Sequence, residues 1–349
     1  MRRVPIASAI LLSALCADAQ FTQAPLARSS VVPSPLVPIN DLGATRYKGQ
    51  QGGLYAAGSN DMSAAHRAVG ITRANLVQPL DTNGNPDANG KIVFLAIGMS
   101  NTTQEFCFNT GSGCATGTFK AQAAADATVD TSKLVIVDGS QAFVTADQWD
   151  NSADTAFDTV RDVRLAASSV TEAQVQIVWA KHARATPNVN LPSASADAYS
   201  LETNLGNGMR AIKTRYPNIQ IVFISSRSYG GYATGTLNPE PYAYETGFGV
   251  KWVIDAQIVQ MNGGGTDSQS GDLNYSNGTA PWISWGPYLW ANGTTQRYDG
   301  LSYASSDYQT DGTHPSQAGR TTIAGLLLTF LKASPFSKCW FLAAHPACE

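Results

Sequence analysis

Short, unbroken apolar runs recur along the chain from residue 91 onward. They cover residues 92–97, 134–137, 175–179 and 219–224, and each is followed by a polar turn. Continuous runs of this length, rich in β-branched and aromatic residues, are typical of strands that are buried on both faces of a parallel sheet. Trp282–Trp285 is a weaker candidate for a fifth strand.

Helix-like patterns lie between and after these runs, at residues 153–167, 198–216, 244–261 and 317–331. Strands that alternate with helices predict a doubly wound α/β fold, in which helices cover both faces of a mostly parallel sheet. The expected architecture is therefore a three-layer α/β/α sandwich over residues 91–349.

The N-terminal part of the chain has a different composition. Residues 20–90 are rich in Pro, Gly, Ala and Asn, and predict an irregular extension that packs on the domain. Before it, a basic start, an apolar run at 6–15 and the Ala17-Asp18-Ala19 pattern predict a signal peptide over 1–19, cleaved near Ala19. We expect a secreted or periplasmic protein without a membrane anchor in the mature chain.

Cysteine spacing agrees with export. Outside the signal peptide the neighbouring pairs Cys107/Cys114 and Cys339/Cys348 predict two disulfides in an oxidising compartment. Two other connectivities are formally open. A zinc site built from all four cysteines is the alternative, but neither pair has C-x2-C spacing.

Composition narrows the choice of partners. The chain has 349 residues, of which 43% are hydrophobic and 14% charged, with a net charge of -3. So many apolar and so few charged residues exclude a disordered chain. A weakly acidic chain is also a poor match for nucleic acid or an anionic membrane, so neither is expected as a partner.

In doubly wound sheets, ligands bind at the carboxyl ends of the strands. Polar residues that follow the four apolar runs lie at 98–101, 138–141, 180–182 and 225–228. Among them, Ser100 follows the first run, and Gly98 before it permits a tight turn. A helix that starts nearby would point N–H groups at a developing oxyanion. An ordinary turn or N-cap serine is the competing interpretation.

A serine nucleophile needs a base, and the base needs a carboxylate that fixes its tautomer. The chain has only four histidines, and His314 lies three residues after Asp311, directly before the last predicted helix. Position thus favours His314 as the base, with Asp311 as its orienting carboxylate.

Together, Gly98-Met99-Ser100-Asn101 and Asp311-Gly312-Thr313-His314 resemble two motif blocks of the SGNH (GDSL-like) hydrolase superfamily. The resemblance implies a flavodoxin-like sheet and ester hydrolysis without a metal or other cofactor, often deacetylation of carbohydrates. It makes Ser100 the nucleophile, His314 the base and Asp311 the orienting carboxylate. The expected substrate is a small-molecule or polysaccharide ester.

The oxyanion hole is the incomplete part of this resemblance. Met99 replaces the usual Asp of the first block, and the Gly-x-Asn-Asp block after the third strand is missing. The resemblance assigns Ser100 and Gly139 as N–H donors. Lys181 could replace the missing Asn, although a surface lysine at a strand end is the simpler interpretation.

Further residues are expected to bind the substrate. They are Asn101 beside the nucleophile, Trp282 and Trp285 in an aromatic stretch that ends at Trp290, and Glu245 in a polar-aromatic loop. Core packing for the tryptophans and a role in the first turn of a helix for Glu245 are the alternatives. Two hypotheses follow: an exported serine esterase that removes acyl groups, acetyl above all, from carbohydrate, or a catalytically impaired relative that binds glycans through its tryptophans.

Overall fold

The computed structural model describes residues 36–111 and 113–349. The predicted signal peptide, its cleavage site near Ala19 and residues 20–35 of the extension lie outside the described residues. Within the described ranges, Leu36–Glu349 form one compact unit.

A five-stranded parallel sheet forms the centre of the molecule. Two short antiparallel strands precede it in the chain, β1 (Arg46–Tyr47) and β2 (Gln50–Gln51). The sheet has the order β4-β3-β5-β6-β7, which is the flavodoxin-like order with the first strand between the second and the third. Its strands are β3 (Ile92–Gly98), β4 (Leu134–Asp138), β5 (Val175–Lys181), β6 (Ile221–Ile224) and β7 (Trp282–Trp285).

Helices cover both faces of this sheet. They are α1 (Ile39–Leu42), α2 (Ala64–Asn75), α3 (Ser100–Phe106), α4 (Phe119–Ala125), α5 (Thr155–Thr159), α6 (Asp197–Arg215), α7 (Tyr242–Met261), α8 (Gln317–Ala333) and α9 (Lys338–Phe341). A π-helical turn, Val160–Leu165, continues α5. The three-layer α/β/α sandwich and the fifth strand expected from the sequence are therefore confirmed.

Alternation along the strands explains the two hydrophobic cores. In β3, Val93, Leu95 and Ile97 pack in one core with α5, α6 and α7. The intervening Phe94 and Ala96 pack in the second core with α3, α4, α8 and α9. Successive side chains of a strand point to opposite faces, so a strand covered on both sides is apolar at every position.

Helix α2 lies in the segment that the composition predicts to be irregular, so the prediction fails at this point. Ser63 caps it by accepting a hydrogen bond from His66 N. Its inner face packs on Trp282, with the His66 ring stacked on the indole at 4.9 Å and Gly70 leaving no room for a Cβ. Because this face is made of Ala, Gly and His, the usual apolar periodicity of a surface helix is weak.

Two disulfides each close a short loop of the chain. Cys107 is bonded to Cys114 just after α3, and Cys339 in α9 is bonded to Cys348. These are the pairings that the cysteine spacing predicts. They use all four cysteines that the zinc alternative would need.

Candidate active site

Ser100 is the first residue of α3 and follows β3 after a sharp turn. Gly98 makes this turn possible with a φ of +153°. A Cβ on Gly98 would lie 2.3 Å from the carbonyl oxygen of Lys181 and 2.4 Å from Thr102 Oγ1, so only glycine fits. The turn therefore places the Ser100 hydroxyl at the carboxyl end of the sheet.

Asp311 and His314 lie in one tight loop before α8. Asp311 Oδ1 accepts hydrogen bonds from the backbone N–H of Thr313 at 2.9 Å and of His314 at 3.0 Å. Its Oδ2 lies 2.5 Å from His314 Nδ1. Partial burial opposes ionisation of Asp311, but these hydrogen bonds outweigh it and lower the pKa of the carboxyl.

The structure brings this loop against the nucleophile turn. His314 Nε2 lies 2.9 Å from Ser100 Oγ, across 214 residues of sequence. Because the Asp311 carboxylate can only accept at Nδ1, the proton of a neutral imidazole is on Nδ1, and Nε2 is left as the acceptor for the Ser100 hydroxyl. Asp311, His314 and Ser100 thus form one continuous chain of hydrogen bonds.

The other three histidines do not contact a candidate nucleophile. His66 and His182 are buried, and burial lowers the pKa of His66 to about 4 and that of His182 to about 3. His66 bonds the carbonyl of Ile283, and His345 bonds the carbonyl of Cys339 in the C-terminal tail.

A second set of hydrogen bonds ties the nucleophile turn to the histidine loop. Asn101 Nδ2 donates to the Thr313 carbonyl at 2.8 Å, and Arg227 Nη1 donates to Asn101 Oδ1. Asn101 follows Ser100 and Thr313 precedes His314, so these hydrogen bonds fix the positions of the two reacting side chains relative to each other. Asn101 is 2% exposed, and its amide is occupied by these two contacts.

Arg227 is the residue of this site that the sequence analysis did not select. It lies just after β6, in the polar run 225–228, and is 1% exposed. Its Nε and Nη2 have no hydrogen-bond partner among the described residues, and no carboxylate within those residues forms an ion pair with it. Burial lowers the pKa of its guanidinium, and the nearby Glu105 opposes that shift.

The assignment of Gly139 and Lys181 as oxyanion donors is wrong, because both groups are bonded elsewhere. Gly139 N–H donates to the Ala96 carbonyl at 2.9 Å, because it continues the β3–β4 ladder by one residue. Lys181 is a fully buried residue, and its Nζ lies 2.5 Å from the carboxylate of Glu105. Burial lowers the pKa of Lys181, with the Glu105 carboxylate opposing the shift.

The tryptophans and Glu245 are also not available to a substrate. Trp282 is 0% and Trp285 3% exposed, since both lie on β7, the edge strand next to β6, and pack into the two hydrophobic cores. Trp290 is buried too and donates to Glu240. Glu245 accepts from Leu191 N at 3.0 Å and Tyr47 Oη at 2.8 Å inside the domain.

A cleft of about 310 Å³ opens over the Ser100–His314 pair. Its accessible wall is mainly apolar, and its lining contains two arginines and no carboxylate. The lining residues are Met99, Ser100, Asn101, Gln104, Ala142, Phe143, Thr145, Arg184, Ala185, Arg227, Leu237, Asn238, Thr313 and His314.

Across residues 36–111 and 113–349, no three or more His, Cys, Asp or Glu side chains cluster in a way that could hold a metal ion. No helix in the same ranges is long and apolar enough to cross a membrane.

Comparison with known proteins gives low similarity. No family model and no curated protein matches the chain. One similar solved structure is a protein of Parabacteroides merdae assigned as a GDSL-like lipase, with a TM-score of 0.35 and 13% identity over 70% of this chain and 96% of that one. Another is a salicylyl-acyltransferase from a tetracycline biosynthetic pathway, with a TM-score of 0.34 and 14% identity over 71% of this chain and 56% of that one. Similarity at this level assigns neither a reaction nor a substrate.

Proposed function

We propose that the protein is a serine ester hydrolase that works through an acyl-enzyme on Ser100. The observation that carries the proposal is the hydrogen-bond chain from Asp311 through His314 to Ser100, with 2.5 Å and 2.9 Å between the bonded atoms. This chain lies at the opening of a cleft, and its geometry is that of a nucleophile, a base and an orienting carboxylate.

In the first half of the reaction, His314 Nε2 takes the hydroxyl proton as Ser100 Oγ bonds to the ester carbonyl carbon. The tetrahedral intermediate collapses when the ester C–O bond breaks, and His314 returns the proton to the departing alkoxide oxygen. In the second half, His314 takes a proton from water, the hydroxide adds to the acyl carbon, and the proton goes back to Ser100 Oγ as the acid leaves. Asp311 stabilises the imidazolium that forms in each half.

The Ser100 N–H is the donor that we assign to the developing oxyanion. It lies at the start of α3 and has no acceptor among the described residues. Because Gly139 and Lys181 are occupied elsewhere, the hole has fewer fixed donors than the sequence suggests. Each missing donor typically lowers kcat by about 10²–10³, so we expect a slow esterase.

Export is part of the proposal. The predicted signal peptide supports it, and the two disulfides are compatible with an oxidising compartment. Acetylated carbohydrate is the substrate class that the family resemblance suggests. The aromatic residues on which the sequence argument for sugars rested are buried, so sugar acetates enter the proposal as one arm of a substrate panel.

The test is hydrolysis of 4-nitrophenyl acetate, ethyl acetate and acetylated xylose by wild type, Ser100→Ala and a matched control, Ser276→Ala. Ser276 is an exposed serine in the 274–279 turn, outside the cleft. We expect Ser100→Ala to reduce kcat to background on every substrate that wild type hydrolyses, and Ser276→Ala to behave as wild type. Equal activity of Ser100→Ala and wild type would refute the proposal.

A further inference from the structure

Two large apolar side chains at the cleft are exposed without a folding reason. Phe143 is 92% exposed and Leu237 is 45% exposed, and both line the cleft that contains Ser100. Phe143 also has a φ of +67°, a backbone region that is strained for a bulky side chain. Neither the exposure nor the strain stabilises the fold, so both point to a contact that the free protein does not make.

The loops that carry these side chains are held in place. Gln141 N donates to the Gly98 carbonyl and Gln141 Nε2 to the Ala156 carbonyl, both at 2.9 Å. On the other side, Asn238 follows Leu237, and its side chain is 4% exposed and donates to the Arg184 carbonyl at 2.5 Å. The exposed side chains are therefore presented on anchored turns and not on loose loop tips.

The dimensions and chemistry of the cleft limit what can lie against them. About 310 Å³ is at the low end of ligand pockets, which leaves room for an ester and one ring. The mainly apolar wall favours a carbon ring with little oxygen, and the absence of a carboxylate from the lining gives a cationic ligand no partner.

We propose that Phe143 and Leu237 form the binding wall for one aromatic ring of the substrate, next to the bond that Ser100 attacks. This inference rests on the proposed esterase function and names its substrate class. Aromatic rings prefer offset or edge-to-face contacts with Phe, and Leu237 supplies aliphatic contact from the same cleft. The ring can belong to the alcohol or to the acid, and a sugar ring is the competing occupant.

The kinetic test compares each variant with wild type on one substrate at a time, so that differences in leaving-group reactivity cancel. The substrates are phenyl acetate (ring on the alcohol), methyl benzoate (ring on the acid), ethyl acetate (no ring) and acetylated xylose (sugar ring). We expect Phe143→Ala to raise KM for at least one aromatic ester roughly fivefold to tenfold, and to change kcat/KM for ethyl acetate less than twofold.

Three further variants separate the ring from the backbone strain. Phe143→Tyr keeps a ring and should restore the wild-type KM. Phe143→Gly relieves the positive φ and should lose the aromatic preference as Phe143→Ala does. Val163→Ala removes an apolar side chain that is 53% exposed outside the cleft and should change nothing. Equal effects of Phe143→Ala on aromatic esters and ethyl acetate, or a larger effect on acetylated xylose, would overturn the inference.

A binding measurement keeps this test separate from the proposed function. Phenol binding to Ser100→Ala, followed by ligand-observed NMR, requires no turnover. We expect binding that is lost in Ser100→Ala/Phe143→Ala, and absence of binding to Ser100→Ala would contradict the inference. Binding of phenol together with a wild type that hydrolyses no ester would refute the esterase and leave the ring site standing.

Discussion

Replacing Arg227 by Met should make the protein more stable and less active. The guanidinium is 1% exposed, makes one side-chain hydrogen bond, to Asn101, and leaves Nε and Nη2 without partners in the described residues. A buried cation without an anion is costly, and a hydrophobic side chain of similar length often stabilises such a site. Met keeps the unbranched shape of the side chain.

The magnitudes follow from the contacts. Losing one charge-assisted hydrogen bond costs about 1.5–3 kcal/mol, and removing two buried unsatisfied donors returns about 1–3 kcal/mol for each. At the midpoints of these ranges the balance is a gain of about 2 kcal/mol in the free energy of unfolding. The same lost bond frees the Asn101 amide that joins Ser100 to the His314 loop, so kcat should fall roughly tenfold to a hundredfold with KM little changed.

The assay pairs urea unfolding with 4-nitrophenyl acetate kinetics for wild type, Arg227→Met and Arg184→Met. Arg184 is the matched control because it lines the same cleft but is ion-paired with Asp197 at 3.2 Å. Arg184→Met should therefore not gain stability. A lower free energy of unfolding for Arg227→Met than for wild type, or a kcat equal to that of wild type, would contradict this prediction.

Three other predictions concern the triad, the buried tryptophan and pH. Asp311→Asn keeps a carbonyl for the two backbone N–H groups and turns its amide N–H to His314 Nδ1. The imidazole proton is then forced onto Nε2, which can no longer accept from Ser100, so kcat should fall roughly 10³–10⁴-fold. A decrease of less than tenfold in steady-state kinetics would contradict this prediction. Trp285→Phe removes the hydrogen bond from Nε1 to the Leu54 carbonyl and should lower the free energy of unfolding in urea by about 1–3 kcal/mol. The kcat/KM for sugar esters should stay within twofold of wild type, because Trp285 is buried. A loss of activity on sugar esters alone would restore the glycan-binding hypothesis. Burial, with a smaller contribution from Asp267, raises the pKa of Glu202 from 4.5 to about 7, so the stabilising effect of the protonated carboxyl is complete below pH 4.5 and is lost as the pH rises through 7. The free energy of unfolding of wild type should therefore fall by about 3 kcal/mol relative to that of Glu202→Gln between pH 4 and pH 8. A difference between the two proteins that does not change with pH would show that the carboxyl is not buried as described.

The parts of the fold that sequence predicts best are those with a local signal. Strands β3 to β6 are apolar at nearly every position because helices cover both faces of the sheet, and that pattern is visible without knowing the partners. The Ser100 turn and the Asp311–His314 loop can be located for the same reason: Ser100 directly follows a recognisable strand, and the loop directly precedes a recognisable helix. The distance between Ser100 and His314 depends on strand order, which the pattern does not specify.

The oxyanion donors show where a local signal fails. Whether the Gly139 N–H is free depends on how far the β3–β4 ladder extends, and here it continues one residue beyond Asp138, so that the Gly139 N–H donates to the Ala96 carbonyl. Lys181 looks like a surface lysine until folding brings Glu105 against it from a position 76 residues away. Neither contact has a signature in the neighbouring sequence.

Aromatic residues show the same limit. The stretch around Trp282 and Trp285 is compatible with a binding face or a core strand, and only the position of β7 next to β6 decides for the core. Phe143, which is the exposed aromatic residue of the cleft, lies between Ala142 and Val144 in the segment after β4, and this short apolar stretch does not show which side chain is exposed. Arg227 lies in a run that the strand-end rule does identify, but its hydrogen bond to Asn101 joins positions 126 residues apart and has no local signal.

The most direct test of the central claim is the site of covalent labelling by a fluorophosphonate, read by peptide mass spectrometry on the full chain. We expect one adduct per chain, on Ser100, formed much more slowly in His314→Ala and not at all in Ser100→Ala. Labelling of another serine, or equal labelling rates in wild type and His314→Ala, would contradict the assignment of Ser100 as a nucleophile activated by His314.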